Sequence, residues 1–325
     1  MAAMKGFDPK YRNPTDYILG VTREIWEERG VATLHRHYAA DIVVRSPASL
    51  VVGNEGVIAA TLATLHEFPD RTLLGEDVIW CADGEDGFLS SHRLLSTATH
   101  LADGVYGKAT GRTLTYRIIA DCYAAEGQIR DEWLVRDQGA IVRQMGLDPR
   151  EHARALIEKE GGPERCVPPF TPRLDRPGPY LGSGNDNRWG EAYADLLGRI
   201  MAADLAAIPR HYDRACQLEL PGGVTGHSHG AADRFWLGLR ASFPSARFTV
   251  EHRIGREDAL LPPRAALRWS LQGRHDGWGA FGPPTGAEVH VMAISHAEFG
   301  PHGLRREFVL LDETAIWKQI LLQTG

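Results

Sequence analysis

The feature that most constrains this chain is a repeat. Sliding residues 66–145 by 175 positions onto residues 241–320 gives 18 identities in 80 positions without a gap, against about five expected from average residue usage. The matches fall where backbone geometry is demanding. Phe68-Pro69 meets Phe243-Pro244, His100 meets His275, Gly107 meets Gly282, and Thr110-Gly111 meets Thr285-Gly286. Glu132, Asp137 and Gln144 likewise meet Glu307, Asp312 and Gln319. Upstream the offset shortens by one residue, so that Arg36-His37-Tyr38 matches Arg210-His211-Tyr212 and Pro47 matches Pro221. The chain reads as a diverged tandem duplication, with units over 14–146 and 189–321. Between them, 147–188 holds a short helical stretch, Arg150 to Glu160, then six prolines from Pro163 to Pro179 and the run Gly182-Ser183-Gly184. That composition predicts an extended linker.

The rest of the composition narrows the class of partner. A net charge of −6 offers no strong positive field for phosphate backbones or anionic lipid, so nucleic acid and membrane are both unexpected. No apolar run approaches the roughly 18 residues of a membrane span, and the opening Met-Ala-Ala-Met-Lys lacks an apolar signal core, which makes the cytoplasm the expected location. The four cysteines, Cys81, Cys122, Cys166 and Cys216, form neither a Cys-x-x-Cys pair nor a disulfide framework.

Within one copy, Asn13-Pro14-Thr15-Asp16 is a helix start, with Ile18, Val21 and Ile25 at helical spacing. A shorter helix is predicted to carry Leu34 and Tyr38, and a third begins near Asn54 and breaks at Phe68-Pro69-Asp70. From Asp77 the texture changes to alternating runs: Asp77 to Ala82, Gly87 to Thr99, Arg112 to Ala124 and Gln128 to Asp137. Helices followed by meandering antiparallel strands predict an α+β layer, and the second copy repeats the order.

The run Gly127-Gln-Ile-Arg-Asp-Glu-Trp-Leu-Val-Arg-Asp137, ending in Arg143-Gln144-Met145-Gly146, resembles the last strand of SnoaL-like polyketide cyclases. Thr99-His100 with Gly104, then Gly107-x-x-Thr110-Gly111, resembles the preceding hairpin, and His275-Asp276-Gly277 with Gly282-Pro-Pro-Thr-Gly286 repeats it. The resemblance spans most of each copy. It implies two tandem cone-shaped α+β barrels of the nuclear transport factor 2-like kind, each a bent sheet wrapping helices around a deep apolar pocket. It also implies that the copies pair sheet to sheet as an intrachain pseudo-dimer; further homodimerisation is left open. The implied chemistry is a lyase or isomerase reaction with no cofactor and no metal, on a small apolar or aromatic carbonyl ligand. The alternative is a non-catalytic ligand-binding or assembly protein of the same fold.

The family's general acid/base aspartate falls on Asp137, after Trp133, and on Asp312, after Phe308. A place at the exposed end of a strand, capping the following turn, is the alternative for both. Strand alternation puts Ile129, Asp131, Trp133, Val135 and Asp137 on one face, and the expected hairpin adds Asp121, Ile119, Arg117 and Thr115. In copy two this face carries His296, Met292 and His290 beside Asp312, Leu310 and Phe308. Asp121 against His296 is either a functional divergence or a tolerated exchange. His92 lies mid-strand with Leu267 as its counterpart, which predicts an inward-facing imidazole, catalytic or simply satisfied in the core. His100 and His275 are expected to fix turns. Trp80, Trp133, Tyr38 and Tyr212 are candidates to line a flat cavity, with ordinary core packing as the alternative. Metal chelation finds little support. His35 and His37 sit on opposite sides of a helix, and His227-Ser-His229 has no acidic or cysteine ligands nearby.

Overall fold

Asn13 begins the first unit as its chemistry requires: its side chain accepts from the Asp16 N–H, while Pro14 fills a first-turn position that needs no N–H donor. The computed structural model describes residues 4–325. The first unit runs α1 (Pro14–Thr22), a π-helical turn (Arg23–Glu27), α2 (Leu34–His37), β1 (Tyr38–Ser46), β2 (Ser49–Val52), α3 (Asn54–Glu67), β3 (Thr72–Asp83), β4 (Gly87–Thr99), β5 (Thr113–Ala125), β6 (Gln128–Arg136) and α4 (Gln138–Gln144). After α5 (Pro149–Lys159) and the linker, the second unit repeats it: α6 (Arg188–Met201), α7 (Ala207–His211), β7 (Tyr212–Leu220), β8 (Val224–His227), α8 (Ser228–Ser242), β9 (Arg247–Arg256), β10 (Arg264–Arg274), β11 (Glu288–Gly300), β12 (Gly303–Leu311) and α9 (Glu313–Thr324).

The two six-stranded sheets have orders β2-β1-β6-β5-β4-β3 and β8-β7-β12-β11-β10-β9. They are mixed rather than wholly antiparallel, because β1 lies parallel to β6 and β7 to β12. Tyr38, expected on a helix, begins β1. The β-branched run Ile42-Val43-Val44 favours a strand there, and its closeness to the helical Leu34 hides the change of period. In each unit the helices cover one face of the sheet, giving two tandem nuclear transport factor 2-like α+β domains. None of the described helices is long and apolar enough to cross a membrane.

The opposite faces of the two sheets pack against each other. Ile119 and Val135 meet Met292, Ile294 and Leu310 in one cluster, and Ile79 and Leu89 meet Ile254 and Ala266 in another. Two arginines at equivalent positions cross this seam in opposite directions. Arg93 of β4 lies 3.4 Å from the Phe308 ring centre, and Arg268 of β10 lies 3.6 Å from that of Trp133. Each also reaches the partner position on the neighbouring strand, Arg93 to His296 at 3.2 Å and Arg268 to Asp121 at 3.4 Å.

The linker is a strap rather than a loose tether. The Phe170 N–H donates to Pro47 O (3.0 Å), the Tyr180 N–H to Asp131 (3.3 Å), and the Tyr180 hydroxyl pairs with His252 (2.6 Å). Arg45, buried, binds Asp131 of its own sheet and Asp175 of the strap, each at 2.5 Å. The preceding α5 packs on α9, where Lys318 pairs with Glu160 at 2.6 Å.

Inside the second domain, Trp236, Trp269 and Phe243 belong to one continuous apolar cluster. Glu307 is buried among them, accepting from Tyr212 (2.8 Å), Tyr193 (2.9 Å) and Trp236 (3.3 Å). Burial pushes this carboxyl up to about 7 against the three donors.

Two predictions follow from this packing. Arg268→Ala strands the Asp121 carboxylate in the seam and should cost about 3–5 kcal/mol in urea unfolding; Arg268→Met with Asp121→Asn should recover most of it. A loss below about 1 kcal/mol would mean that the pair carries little of the seam. Glu307 binds its proton more tightly in the folded chain, so its stabilising contribution is complete below its ordinary 4.5 and is lost as pH rises through about 7. Urea midpoints at pH 5 and 7.5 should therefore differ less in Glu307→Gln than in the parent chain.

Candidate functional site

The strand register fixes which side chains can meet a ligand. Ile119 pairs with Val135 and Asp121 with Trp133, so Arg117, Ile119, Asp121, Trp133 and Val135 share a face, but that face is the seam and not the cone. Both faces of β5 and β6 are buried, so alternation alone assigned the set to the wrong side. Asp121 faces Arg268, and Trp133 lies under Arg268 and Arg45. Arg117 pairs with Glu76 and with Glu219 of the second domain. In the second domain, Phe308 lies under Arg93, His296 accepts or donates to Ser91 (2.8 Å), and His290 packs edge-on against Phe170 of the strap. Burial and the neighbouring Arg93 hold His296 well below the usual imidazole range. Trp80 packs near Phe88 with Arg256 over its ring, and Tyr212 serves Glu307.

The cone of the first domain encloses a cavity of about 410 Å³. His92 and Tyr38 line it, together with Trp26, Phe68, Leu94 and Tyr106. From β6 it receives Glu132, Leu134 and Arg136, and from β5 Ile118 and Ala120. His92 Nδ1 lies 3.4 Å from Ser90 Oγ, and burial pushes the imidazole down to about 4, which keeps it neutral. Glu132 is buried and pushed up to about 7 by desolvation, an effect that the nearby Tyr38 hydroxyl and Cys122 thiol partly offset. A carboxyl that titrates near neutrality is suited to take and return protons. Glu132 was not singled out from the sequence as a site residue. Its signal is the match to Glu307, and alternation places it on the face of β6 opposite Trp133.

Asp137 and Asp312 cap α4 and α9, accepting from the Ala140 and Ala315 N–H at 2.9 Å. Their further surroundings differ. Asp137 also accepts from the Gly222 and Gly223 N–H groups of the β7–β8 turn, at 2.9 and 3.0 Å. Burial still raises it to about 6, but its two oxygens hold three backbone donors, and it borders a separate cleft between the domains. Asp312 keeps only donors from its own first helical turn, is pushed up to about 7 by burial, and reaches the first domain's cavity alongside Pro47, Ala48 and Ser49. The second domain thus lends a carboxyl to the first domain's cone.

The two cones have parted company. Identical strand registers support the 175-residue offset for the sheets, and the buried positions of α3 and α8 carry it back to Thr61, so that the cavity residues Thr61 and Leu94 become Trp236 and Trp269, whose rings sit 6.0 Å apart in the second core. His92, Arg71, Tyr106 and Arg136 become Leu267, Ala246, Phe281 and Leu311. Of the polar lining, Glu132 and Tyr38 persist, as Glu307 and Tyr212. The first cone is hollow and polar; the second is filled.

The His227-Ser-His229 run is split between the end of β8 and the start of α8, where His229 Nε2 meets Tyr212 O at 3.0 Å. His35 is exposed and His37 buried beside Glu24 at 3.1 Å. Among the described residues no group of three or more His, Cys, Asp or Glu converges as metal ligands would.

Known proteins resemble each half separately. The model of the SnoaL-like polyketide cyclase family matches residues 17–145, and that of the SnoaL-like domain matches residues 191–307. No curated protein matches the chain. Among solved structures, IdmH from Streptomyces antibioticus is 23% identical over 42% of this chain and 100% of its own, with a TM-score of 0.37. TsrD from Streptomyces laurentii is 19% identical over 42% and 96%, with a TM-score of 0.36. A SnoaL-like polyketide cyclase from Agrobacterium tumefaciens is 19% identical over 43% and 99%, with a TM-score of 0.33. With a matching model over each unit and one cone in each, the chain is a tandem pair of SnoaL-type domains, a SnoaL-like polyketide cyclase domain followed by a SnoaL-like domain.

Proposed function

We propose that the chain is a cofactor-independent cyclase, of lyase or isomerase type, acting on a small carbonyl compound in the cone of the first domain. The observation that carries this reading is the asymmetry of the cones. A hollow cone holding Glu132, His92 and Tyr38 stands beside a filled one in which the imidazole has become leucine.

Glu132 is the base. It takes a proton from the carbon next to a substrate carbonyl, and the electron pair of that C–H bond becomes an enolate. Neutral His92, whose Nδ1 faces Ser90, offers its other ring nitrogen to the carbonyl oxygen as that charge develops. In an intramolecular aldol closure the enolate carbon then bonds to a second carbonyl carbon, and the oxygen left behind takes a proton from Asp312. Exchange with solvent resets both carboxyls. The mainly apolar lining of the cavity favours each step, because it limits the water that would quench the enolate. Asp137, the expected base, is assigned to domain clamping, since three N–H donors already occupy its carboxylate.

Deuterium exchange at the α-carbon of aromatic β-keto esters, followed by NMR, tests this reading. Glu132→Gln should slow exchange at least ~100-fold, whereas Glu307→Gln should leave it within a few-fold of the parent. The rate should rise with pH to a plateau above about 7, where Glu132 is ionised. Unchanged exchange in Glu132→Gln would reject the assignment in favour of a non-catalytic binding protein. A second prediction copies the filled cone onto the hollow one: Thr61→Trp should abolish exchange while leaving the thermal midpoint at or above that of the parent.

A further inference from the structure

We infer that the cavity of the first cone takes an organic carboxylate, seated on the guanidinium groups of Arg71 and Arg136. The inference rests on the cavity being the ligand site, and it narrows the substrate from a neutral carbonyl compound to an aromatic or fused-ring keto acid.

Both arginines line the cavity, and Arg71 is 5% exposed. Among the described residues neither lies within 4 Å of a carboxylate oxygen. Arg71 donates through Nε to Ser96 Oγ at a long 3.4 Å, while Arg136 makes no side-chain hydrogen bond. Arg71 Nη1 and Arg136 Nε are buried without any acceptor. Arg71 also has the Tyr116 hydroxyl as a neighbour, but keeping one buried and one half-buried cation with no carboxylate beside them is costly unless a further anion completes the site.

The carboxylates of the same cavity do not pair with these arginines. Glu67 accepts from the Val105 and Tyr106 N–H groups and meets His100 at 3.1 Å. Glu132 sits by Tyr38, and Asp312 caps its helix. The resulting field is visible at Tyr116: burial raises its phenol, yet the charges of Arg71 and Arg136, joined by hydrogen bonding to Ser96 and Arg71, together hold it below the usual range.

Geometry argues for recognition rather than general cohesion. Trp26 stacks on Arg71, 4.5 Å from its ring centre to the guanidinium carbon, which fixes the plane that a carboxylate would meet. Glu132 and Arg136 share one face of β6, four residues and therefore about 13 Å apart along the strand. A two- or three-ring acid can place its carboxylate at Arg136 with its reactive carbon towards Glu132. In the filled cone both arginines are gone, as Ala246 and Leu311.

Calorimetric titration of the full chain with 2-naphthoate and with 2-naphthamide, its neutral isostere, tests the inference. The acid should bind about 10-fold or more tightly than the amide. Arg71→Met and Arg136→Met should each bring the two ligands close to equal, whereas Arg71→Lys and Arg136→Lys should retain part of the preference. Thr61→Trp should abolish binding of both. Equal affinity for acid and amide, undiminished acid binding in both methionine variants, or no acid binding at millimolar concentration would each overturn the inference. Binding is read here without turnover, so a failed exchange assay on neutral esters leaves it standing. Conversely, loss of the carboxylate preference leaves the role of Glu132 untouched.

Discussion

The structure depends on the seam between the two sheets, and the seam depends on two arginines. Arg93 and Arg268 occupy the same place in the repeat, and each crosses to lie over the aromatic ring of the opposite domain, Phe308 or Trp133. A guanidinium tolerates burial there because the ring face supplies negative potential and Asp121 or His296 supplies a polar neighbour. This pairing buries the outer face of β4, β5, β10 and β11, so a ligand has only the concave faces and the domain edges to meet. It also explains why Asp121 and His296 could diverge. They face each other's domain, and Arg93, which already pairs with Glu76 at 2.9 Å and Glu298 at 3.5 Å, needs no further carboxylate where His296 stands.

The duplicated cones took opposite courses. The second is packed with Trp236, Trp269 and Phe281 and keeps one polar cluster, Glu307 with its three donors. A filled core of that kind supplies the apolar burial that a hollow one forgoes. The first cone carries His92, Glu132, Arg71 and Arg136 around open space, groups that desolvation makes costly to keep. Joining the domains by a buried seam and a strap lets the stable half support the half that bears this cost.

Much of this was legible in the sequence, and what was not has a physical reason. The 175-residue offset, the helix start at Asn13 and the four long strands all follow from spacing and turn chemistry, whereas the pairing of Ile119 with Val135 depends on a register shift between Tyr123 and Ala124. The direction of a strand's two faces does not. Alternation separates Glu132 from Trp133 but cannot say which of them looks into the cone when both faces are apolar and buried. His92 was placed correctly because its counterpart is leucine, which marks a position hidden from water in either copy. The same comparison, extended to Arg71 against Ala246 and Arg136 against Leu311, holds the signal for the other polar cavity residues. Cavity residues are the ones a duplicate that no longer needs them can replace with apolar ones.

Asp137 and Asp312 show how one residue, conserved between the copies, acquires two settings. What differs is the turn that each meets across the domain boundary. In the second domain that turn is Pro221-Gly222-Gly223, and both glycines adopt left-handed backbone, with φ of 81° and 71°, a conformation that costs glycine little and other residues more. Two successive N–H groups thereby point at Asp137 and bind it as an anion is bound in a backbone nest. The equivalent turn of the first domain is Pro47-Ala48-Ser49. Neither Ala48 nor Ser49 is left-handed, and no such nest forms, so Asp312 keeps only the donors of its own helix and borders the cavity instead. A capping aspartate is held across the domain boundary where a neighbouring turn supplies donors, and is left at the cavity wall where that turn withholds them. The glycines of one domain, not any change in the aspartates, decide which carboxyl is which.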